Sequence, residues 1–369
     1  MNIPLSAPDI TQAEIDAVTQ VLRTNRLSLG PRLEEFEHAM AQYVGVPHAI
    51  GVSSGTAGLH LCIRALNIGE GDEVIVPSFT FIAAANAIRY ERAAPVFVDI
   101  EPATLNLDPA KIEAAITPRT RAILIVHAFG IPANMRAILE IAERHRLLVI
   151  EDACEAIGAE YHSRRVGSFG DAAVFAFYPN KQITTGEGGM IVTRSAALAT
   201  RMRALRNQGR CQSDDWLQHS ELGYNYRLSE ISCALGIEQL KRIETILAAR
   251  ASVARGYQER LQNQPLILPP LEILHTRISW FVYTIRLQPQ FHAAQRDAVL
   301  RSLARQGIGC ARYFAPVHLQ PAYSAWNKIS LPVTESEASR TIALPFFNKL
   351  TGEQLDQVCE AVSCELRGL

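Results

Sequence analysis

The sequence predicts an α/β fold, in which helices sandwich a seven-stranded, mostly parallel sheet and a smaller C-terminal α+β domain follows. Three observations predict it. Seven short apolar runs rich in Val and Ile recur through the first half of the chain, and such runs are typical of strands buried on both faces. Amphipathic segments separate these runs at the spacing of crossover helices. Beyond about residue 228 the alternation stops, which indicates a second structural unit.

The first half of the chain supplies the strands and helices of the predicted sheet. Two of the segments between strands have clear helical periodicity, Asp108–Ile116 and Met135–His145. The predicted strands, in chain order, are His48–Ser53, Glu73–Val76, Pro95–Asp99, Ala122–Val126, Leu147–Ile150, Ala172–Ala176 and Met190–Thr193. Strands that alternate with helices in this way are typical of a doubly wound sheet.

The second half of the chain predicts a connecting helix and a small domain. Ser229–Tyr257 has helical periodicity and few helix breakers, which favours one long connector. The apolar run Ser279–Leu287 and the helix-like Arg296–Arg305 then indicate an α+β domain. We therefore divide the chain into a large domain, residues 1–245, and a small domain, residues 246–369. Because no long structureless linker separates them, we expect the two to pack as one unit.

Composition and charge exclude several classes of protein. The 369 residues carry 36 Lys+Arg against 37 Asp+Glu, a net charge of −1, so no basic bias indicates binding to nucleic acid or an anionic membrane. No apolar stretch is long enough to span a membrane, and the N-terminus lacks a signal-peptide pattern, so we expect a cytoplasmic protein. The seven cysteines form no CxxC pair, which predicts reduced thiols and no metal site.

The first predicted strand leads into a candidate phosphate cup. Residues 53–60 read SSGTAGLH, a turn of small residues that opens a helix. Glycine lets the backbone approach a ligand, and the N-terminus of a helix offers N–H groups to an anion. A plain helix cap with a glycine turn has the same features, so both interpretations stay open for this segment alone. Neither GxxxxGK[ST] nor GxGxxG occurs here, so the common nucleotide motifs are not supported.

The fifth predicted strand is followed by carboxylates. Residues 151–156 read EDACEA and include Asp152 and Glu155. A carboxylate at the end of an apolar strand is costly unless it meets a cation or a hydrogen-bond donor. Asp152 is therefore either the N-cap of a helix or an acid that pairs with a protonated ring nitrogen of a cofactor.

Lysine is rare in this chain, and one lysine stands apart. The five lysines are at positions 111, 181, 241, 328 and 349. Only Lys181 sits in a Gly/Thr-rich turn between two predicted buried strands, whereas the others lie on polar helical faces or in loops. An amine in apolar surroundings can form a Schiff base. Together, a phosphate cup, a carboxylate at a strand end and an internal lysine describe a pyridoxal phosphate (PLP) site.

Taken in order along the chain, these motifs resemble the DegT/DnrJ/StrS family of PLP-dependent nucleotide-sugar aminotransferases, a branch of the fold-type I aminotransferases. The resemblance covers nearly the whole length, and it implies the fold-type I PLP transferase architecture. Its landmarks are Gly30-Pro31, SSGTAGLH at 53–60, PSFTF at 77–81, EDACEA at 151–156, FYPNKQITTGEGG at 177–189, GYNYRL at 223–228 and YFAPVHLQP at 313–321.

The resemblance implies roles for the residues that match it. Lys181 would form the covalent aldimine with PLP and later shuttle a proton to the substrate carbon. Asp152 would bind the pyridine nitrogen and keep it protonated. Glu155 would lie near the phenolic oxygen of the cofactor, and Phe81 would stack on the ring.

The resemblance also implies that two subunits share each active site. Gly55, Thr56 and Ala57 would hold the cofactor phosphate from one subunit. Asn225, in the GYNYRL segment, would reach the same phosphate from the neighbouring subunit. The protein is therefore expected to be a homodimer.

One position departs from the family pattern. The family usually has a phosphate-binding serine five residues before the lysine, where this chain has Ala176. The missing hydrogen bond is either absent or replaced, for example by Ser54 or an ordered water. Relatives that act as dehydratases have histidine in place of the lysine, so the retained Lys181 favours transamination.

Four further residues are candidates for contact with the substrate. His318 and Tyr313 resemble residues of the substrate-facing C-terminal segment, although a capped loop histidine explains His318 equally well. Trp216 and Tyr224 could line the entrance for a nucleotide sugar, and a packing role is the simpler interpretation of Trp216.

The predicted function is amino transfer from L-glutamate to a nucleotide-linked keto sugar, with a 4-keto-6-deoxyhexose favoured. The product would enter O-antigen, glycan or antibiotic deoxysugar synthesis. A 3-keto sugar nucleotide or a keto-cyclitol is the alternative substrate. A non-catalytic sugar-nucleotide sensor is a second alternative, which the presence of both Lys181 and Asp152 disfavours. A dinucleotide-dependent oxidoreductase is weaker still, because the glycine fingerprint is missing.

Overall fold

The computed structural model describes residues 2–211, 218–326 and 328–368. Its main sheet has seven strands, and each lies within one or two residues of a predicted apolar run. They are β1 (His48–Val52), β2 (Glu73–Pro77), β3 (Ala94–Val98), β4 (Thr120–Val126), β5 (Leu148–Asp152), β6 (Ala172–Ala176) and β7 (Gly189–Thr193). The Val/Ile-rich composition was therefore sufficient to locate them, because buried strands leave few polar residues in the run.

The order of the strands is β1-β7-β6-β5-β4-β2-β3. The strand β7 pairs antiparallel with both of its neighbours, β1 and β6, and every other pair in the sheet is parallel. The prediction of a mostly parallel sheet is confirmed. Parallel neighbours end at the same edge, so the carboxyl ends of β4, β5 and β6 lie side by side where a ligand site is expected.

Helices cover both faces of this sheet, as predicted. They are α1 (Gln12–Leu22), α2 (Pro31–Val44), α3 (Gly55–Ala65), α4 (Ala83–Tyr90), α5 (Met135–His145), α6 (Ala196–Arg206) and α7 (Glu230–Lys241). Successive side chains of β6 point to opposite faces. Val174 lies in the core beneath α3, α4 and α6, while Phe175 lies in the core beneath α2 and α7. The helix α5 covers the same side as α2, over β4 and β5.

The predicted helix over Asp108–Ile116 is wrong. Two short 3₁₀ helices, Pro109–Lys111 and Glu113–Ala115, replace it. The Asp108 side chain accepts a hydrogen bond from the Ala110 N–H at 3.0 Å, and the following backbone bonds close after three residues. The segment is amphipathic and its Ile112 is buried in the core, but its turns are closed by bonds between residues three apart, as in 3₁₀ helices.

The predicted single connector over Ser229–Tyr257 is also wrong, because two helices share it. The helix α7 ends at Lys241, and α8 spans Ile243–Leu261. Arg242 between them leaves helical geometry, with φ −102° and ψ 5°. Its guanidinium donates to the Asp9 carbonyl at 2.9 Å and to Glu14 Oε1 at 3.0 Å, so contacts with the N-terminal segment stabilise the break.

The C-terminal part is an α+β unit, as predicted. Its antiparallel sheet has the order β8 (Leu266–Ile267), β9 (Tyr283–Leu287) and β10 (Thr341–Leu344). Its helices are α8, α9 (Ala293–Arg305), α10 (Pro332–Arg340) and α11 (Gly352–Arg367). Only the second half of the run at 279–287 is strand. The first half turns toward the large domain, where the Ser279 N–H donates to the Gly130 carbonyl at 3.0 Å.

The division at residues 245 and 246 remains a prediction, and it falls inside α8. The N-terminus also packs in the C-terminal part, which a division of the chain at one position does not describe. Ile3 is wholly buried in the C-terminal core, and its N–H donates to the Gly307 carbonyl at 2.9 Å. Of the helices that the structure describes, none combines the length and apolar character that crossing a membrane requires.

Candidate active site

A cavity of about 470 Å³ opens at the carboxyl edge of the sheet. It lies where β4, β5 and β6 end, beside the N-terminus of α3 and against two segments of the C-terminal part. The residues that line it include Ser54, Gly55, Thr56, Thr80, Phe81, Val126, Asp152, Cys154, Glu155, Ala176, Tyr178, Asn180, Lys181, Glu187, Phe281, Tyr313 and Phe314. The sheet topology thus brings the predicted cup, the carboxylates and the lysine into one space.

The predicted phosphate cup is the first turn of α3. Ser54 is the N-cap, and its Oγ accepts a hydrogen bond from the Ala57 N–H at 3.1 Å. Gly55 lies so close to β6 that a Cβ there would be 2.8 Å from the Ala176 Cβ and 2.9 Å from the Cys154 Sγ. The first N–H groups of a helix have no partner within it and form its positive end. The segment is therefore both a helix cap and a place where an anion can bind.

Asp152 is the last residue of β5 and is buried at the floor of the cavity. Its Oδ1 accepts a hydrogen bond from the Cys154 N–H at 3.1 Å. Burial raises the pKa of Asp152 above its usual value, although this hydrogen bond and the charge of Lys181 oppose the rise. No helix follows β5, since the chain continues through turns to a short strand at Glu160–Tyr161. The alternative of a helix N-cap is therefore wrong for Asp152.

Lys181 and Glu155 form the second charged part of the cavity. The Lys181 Nζ lies 3.6 Å from Glu155 Oε1 and 3.9 Å from the centroid of the Phe281 ring. The other oxygen of Glu155, Oε2, accepts a hydrogen bond from the Phe129 N–H at 2.9 Å. Burial raises the pKa of Glu155, and the charge of Lys181 opposes that rise.

Aromatic rings surround the opening of the cavity. Phe81 is 62% exposed and Tyr178 is 51% exposed, although both are large side chains that proteins usually bury. Tyr313 lines the inner wall, and burial raises the pKa of its hydroxyl. Exposed rings at the mouth of a cavity are suited to stack on a flat ligand.

Comparison with known proteins identifies the family. The model of the DegT/DnrJ/EryC1/StrS aminotransferase family matches residues 8–363. The chain belongs to this family. A GDP-perosamine synthase of Caulobacter vibrioides is 43% identical to it over 364 residues, which are 98% of this chain and 97% of that protein.

Solved structures of family members have the same fold. DesV of S. venezuelae, in complex with a ketimine intermediate, superposes with a TM-score of 0.91 and 38% identity over 99% of this chain and 98% of that one. The Streptococcus pneumoniae protein Spr1654, in its PLP form, has a TM-score of 0.95 and 27% identity over 100% of this chain and 99% of that one. The aminotransferase described here is accordingly a PLP-dependent sugar aminotransferase with the fold-type I architecture.

Three of the other predicted residues lie outside the cavity or outside the described part of the chain. Asn225 is exposed, on an extended segment paired with Asn207. Tyr224 contacts Glu91 through its hydroxyl, at 2.8 Å, and its ring stacks on Tyr226. Trp216 lies outside the described residues.

His318 is not brought into the cavity. It is wholly buried, its Nδ1 lies 2.6 Å from the Ser78 hydroxyl, and its Nε2 lies 3.4 Å from Glu335 Oε1. The Ser78 hydroxyl also accepts the His318 backbone N–H at 3.1 Å. These contacts fit the alternative interpretation of a capped histidine, and contact of His318 with the substrate stays a prediction.

Two features of the site were not expected from the sequence. Phe281 contacts Lys181, and the only signal for it was the aromatic run at 280–283, which fits a core strand equally well. Behind the cavity, Glu151 and His127 form a fully buried pair with Nε2–Oε2 at 3.1 Å. Among the residues that the structure describes, no group of His, Cys, Asp and Glu is arranged to hold a metal ion.

Glu151 has a full set of hydrogen-bond donors. The N–H groups of Gly167, Phe169 and Gly170 donate to it at 2.7, 2.8 and 2.7 Å. The Ala133 N–H donates to His127 Nδ1 at 3.1 Å, so the ring proton lies on Nε2 and faces the carboxylate. Burial alone would raise the pKa of Glu151, but His127 and the backbone donors outweigh it and lower that pKa.

Proposed function

We propose that the enzyme transfers an amino group from L-glutamate to a nucleotide-linked 4-keto-6-deoxyhexose. One observation carries the proposal: the amine of Lys181 and the buried carboxylate of Asp152 line one cavity beside the N-terminus of α3. This arrangement fits PLP, with an anion site for the phosphate and an acid for the ring nitrogen. The 43% identity to a GDP-perosamine synthase supports an amino-sugar product.

Each residue of the site then has a specific task. When bound, PLP supplies a ring that accepts the electron pair of the substrate carbon. Asp152 would hold a proton at the ring nitrogen, and Glu155 would lie near the phenolic oxygen. Lys181 would hold the cofactor and move the proton at the substrate carbon. Phe81 would cover the ring and exclude water.

The phosphate contacts come from the first turn of α3. The backbone N–H groups of Gly55, Thr56 and Ala57 and the Thr56 hydroxyl bind the phosphate in this proposal. The close contact between Gly55 and Ala176 supports it, because only glycine lets the helix end approach the strand so closely. Ser54 adds a hydroxyl at the same place, and its oxygen already caps the helix.

A panel of substrates tests the proposed reaction. The purified protein is incubated with L-glutamate and nucleotide-linked sugars that carry the keto group at C4 or at C3, or with a keto-cyclitol. We expect formation of 2-oxoglutarate and of an amino sugar with the C4 substrates, identified by mass and NMR. The Lys181→Ala variant is the blank, and we expect it to have no measurable turnover while it keeps its fold. Preference for a C3 ketone or a cyclitol would replace the proposed substrate with that alternative.

The colour of the protein separates an aminotransferase from a sugar-nucleotide sensor. A yellow protein whose visible absorbance disappears on treatment with borohydride contains PLP bonded to a lysine, and peptide mass analysis should then locate the modification on Lys181. A colourless protein that binds sugar nucleotides without turnover would favour the sensor.

We further propose a homodimer in which Asn225 serves the site of the neighbouring subunit. Its exposure on the opposite side of an extended segment from Tyr224 and Tyr226 supports this. When inactive Lys181→Ala and inactive Asn225→Ala subunits are mixed, one of the two hybrid sites is intact, so part of the activity should return. If exchange of subunits is demonstrated and no activity returns, the assignment of Asn225 is wrong.

A further inference from the structure

Phe281 lies against the amine that the proposed reaction depends on. The Lys181 Nζ is 3.9 Å from the centroid of its ring, and the ring is only 1% exposed. A protonated amine over the face of an aromatic ring is attracted by the negative face of the ring. The amine also lies 3.6 Å from Glu155 Oε1, so an aromatic face and a carboxylate both contact it.

The position of Phe281 is fixed by the structure around it. Arg250 on α8 is buried and donates hydrogen bonds to the carbonyls of Phe281 and Trp280, each at 2.7 Å. Its third bond goes to Asn348 Oδ1 at 2.9 Å. The backbone that carries the Phe281 ring is therefore attached to the C-terminal domain by charge-assisted hydrogen bonds, which are stronger than neutral ones.

The lysine segment is bonded to the same segment of the chain, two residues before Phe281. Gln182, which follows Lys181, donates from Nε2 to the Ser279 carbonyl at 3.0 Å and to the Glu155 carbonyl at 2.7 Å. One buried amide thus links the segments that carry Lys181, Glu155 and Phe281. These bonds hold together the backbone segments that carry the three groups.

We propose that Phe281 is a positioning residue for Lys181: with Glu155 it forms a seat that holds the protonated amine whenever the amine is not bonded to the cofactor. The proposal rests on the proposed role of Lys181 as the cofactor lysine. The ring face and the carboxylate both attract a positive charge at this position. The seat also keeps the amine close to the place where a proton must be moved.

Acylation of the cofactor-free, full-length protein tests the seat. Acetic anhydride reacts with the neutral form of an amine and not with the ammonium form. The extent of acetylation at Lys181 itself, located by fragmentation in the mass spectrometer and followed from pH 6 to 11, therefore gives a midpoint. In Phe281→Leu we expect the midpoint to fall by about 0.5 to 1.5 pH units, since a cation–π contact in a desolvated site contributes up to about 2 kcal/mol.

A second aromatic residue supplies the matched control. Phe79 is also buried, and its ring packs edge-on against Phe129 and Phe314. Phe79→Leu makes the same chemical change near the cavity, and it should leave the midpoint unchanged. The other ionisable side chains of the cavity are the same in all variants, so their contribution to the midpoint cancels; they are Asp152, Cys154, Glu155, Tyr178, Glu187 and Tyr313.

The possible outcomes distinguish a positioning role of Phe281 from a purely structural one, and they test the seat separately from the proposed function. A Phe281→Leu midpoint equal to or above that of wild type overturns the seat. If Phe281→Leu does not fold, 2,6-difluorophenylalanine at position 281 keeps the shape and weakens the negative ring face, and an unchanged midpoint there overturns it equally. Borohydride labelling of the PLP-loaded protein is independent of this result. Labelling of a lysine other than Lys181 would contradict the proposed function but leave the midpoints to decide about the seat.

Discussion

Glu151 and Asp152 are neighbours on β5, both buried, and they have opposite environments. Glu151 faces away from the cavity, where His127 and three backbone N–H groups donate to it, and its pKa is lowered. Asp152 faces the cavity with the Cys154 N–H as its hydrogen-bond donor, and its pKa is raised.

This difference separates a group that stabilises the fold from one that is available for chemistry. Burial acts in the same direction on both carboxylates, because removal from water disfavours the charged form. The number of donors decides the outcome. A buried carboxylate whose oxygens are already occupied is a structural anchor, while one with few donors is suited to bind an incoming charged partner.

Of the substitutions that test this difference, Asp152→Asn should have the largest effect, which is on the catalytic rate. In Asp152→Asn the amide cannot stabilise a positive ring nitrogen as a carboxylate does. We expect cofactor to remain bound and kcat to fall by well over tenfold, measured by glutamate-dependent formation of product. A loss below about tenfold, which corresponds to roughly 1.4 kcal/mol of barrier, would mean that Asp152 has only a structural role.

The second largest effect should be on the stability of the fold, when Glu151 is replaced. Glu151→Gln removes the charge that four donors stabilise and leaves some of them without a suitable acceptor. We expect the free energy of unfolding at pH 7 to fall by about 1–3 kcal/mol, measured by urea denaturation of the cofactor-free protein. Arg136→Gln changes an exposed side chain of α5 and should cost little by comparison. An unchanged stability of Glu151→Gln would show that the buried pair contributes nothing net.

The pH dependence of stability should also differ between the two carboxylates, because folding lowers the pKa of Glu151 and raises that of Asp152. The pKa of Glu151 is lowered by folding, so its contribution is present above the pKa of the unfolded chain, about 4.5, and is lost as pH falls through the folded pKa. The difference between wild type and Glu151→Gln should therefore shrink in acid.

The pKa of Asp152 is raised by folding, so ionising it costs stability as pH rises above the unfolded pKa, about 3.8. Cofactor-free Asp152→Asn should then melt at a higher temperature than wild type at pH 8 and at a similar temperature near pH 3. Thermal melts at both pH values measure this. A lower melting temperature for Asp152→Asn at pH 8 contradicts the unfavourable burial of its charge.

The smallest expected effect concerns Ala176, at the end of β6. We expect Ala176→Ser to leave the dissociation constant of PLP unchanged or slightly higher. The Ser54 hydroxyl already lies at the cup, and Ala176 is packed tightly against Gly55. Equilibrium dialysis in buffer without phosphate measures it. Tightening by about tenfold or more would show that a phosphate hydrogen bond was missing, since that factor corresponds to about 1.4 kcal/mol.

Local sequence was sufficient for most of the fold and for the residue types of the site. The seven strands followed from Val/Ile-rich runs, and the helix Met135–His145 from its periodicity. The cup at 53–60, Asp152, Glu155 and Lys181 followed from small residues or charges placed where buried strands end. These features are encoded within a few neighbouring residues, which is why a pattern could reveal them.

Contacts between distant segments were decided only by the tertiary structure. The break at Arg242 depends on Asp9 and Glu14, and the ring of His318 is buried against Ser78. Phe281 meets Lys181 because Gln182 bonds to the Ser279 carbonyl, while Arg250 holds the Phe281 carbonyl. The sequence by itself determined which groups are charged, small or apolar. The tertiary structure decided how many donors each buried charge receives. Glu151 meets His127 and the turn at 167–170 only because the fold brings these segments to one side of β5, and this distinguishes it from Asp152.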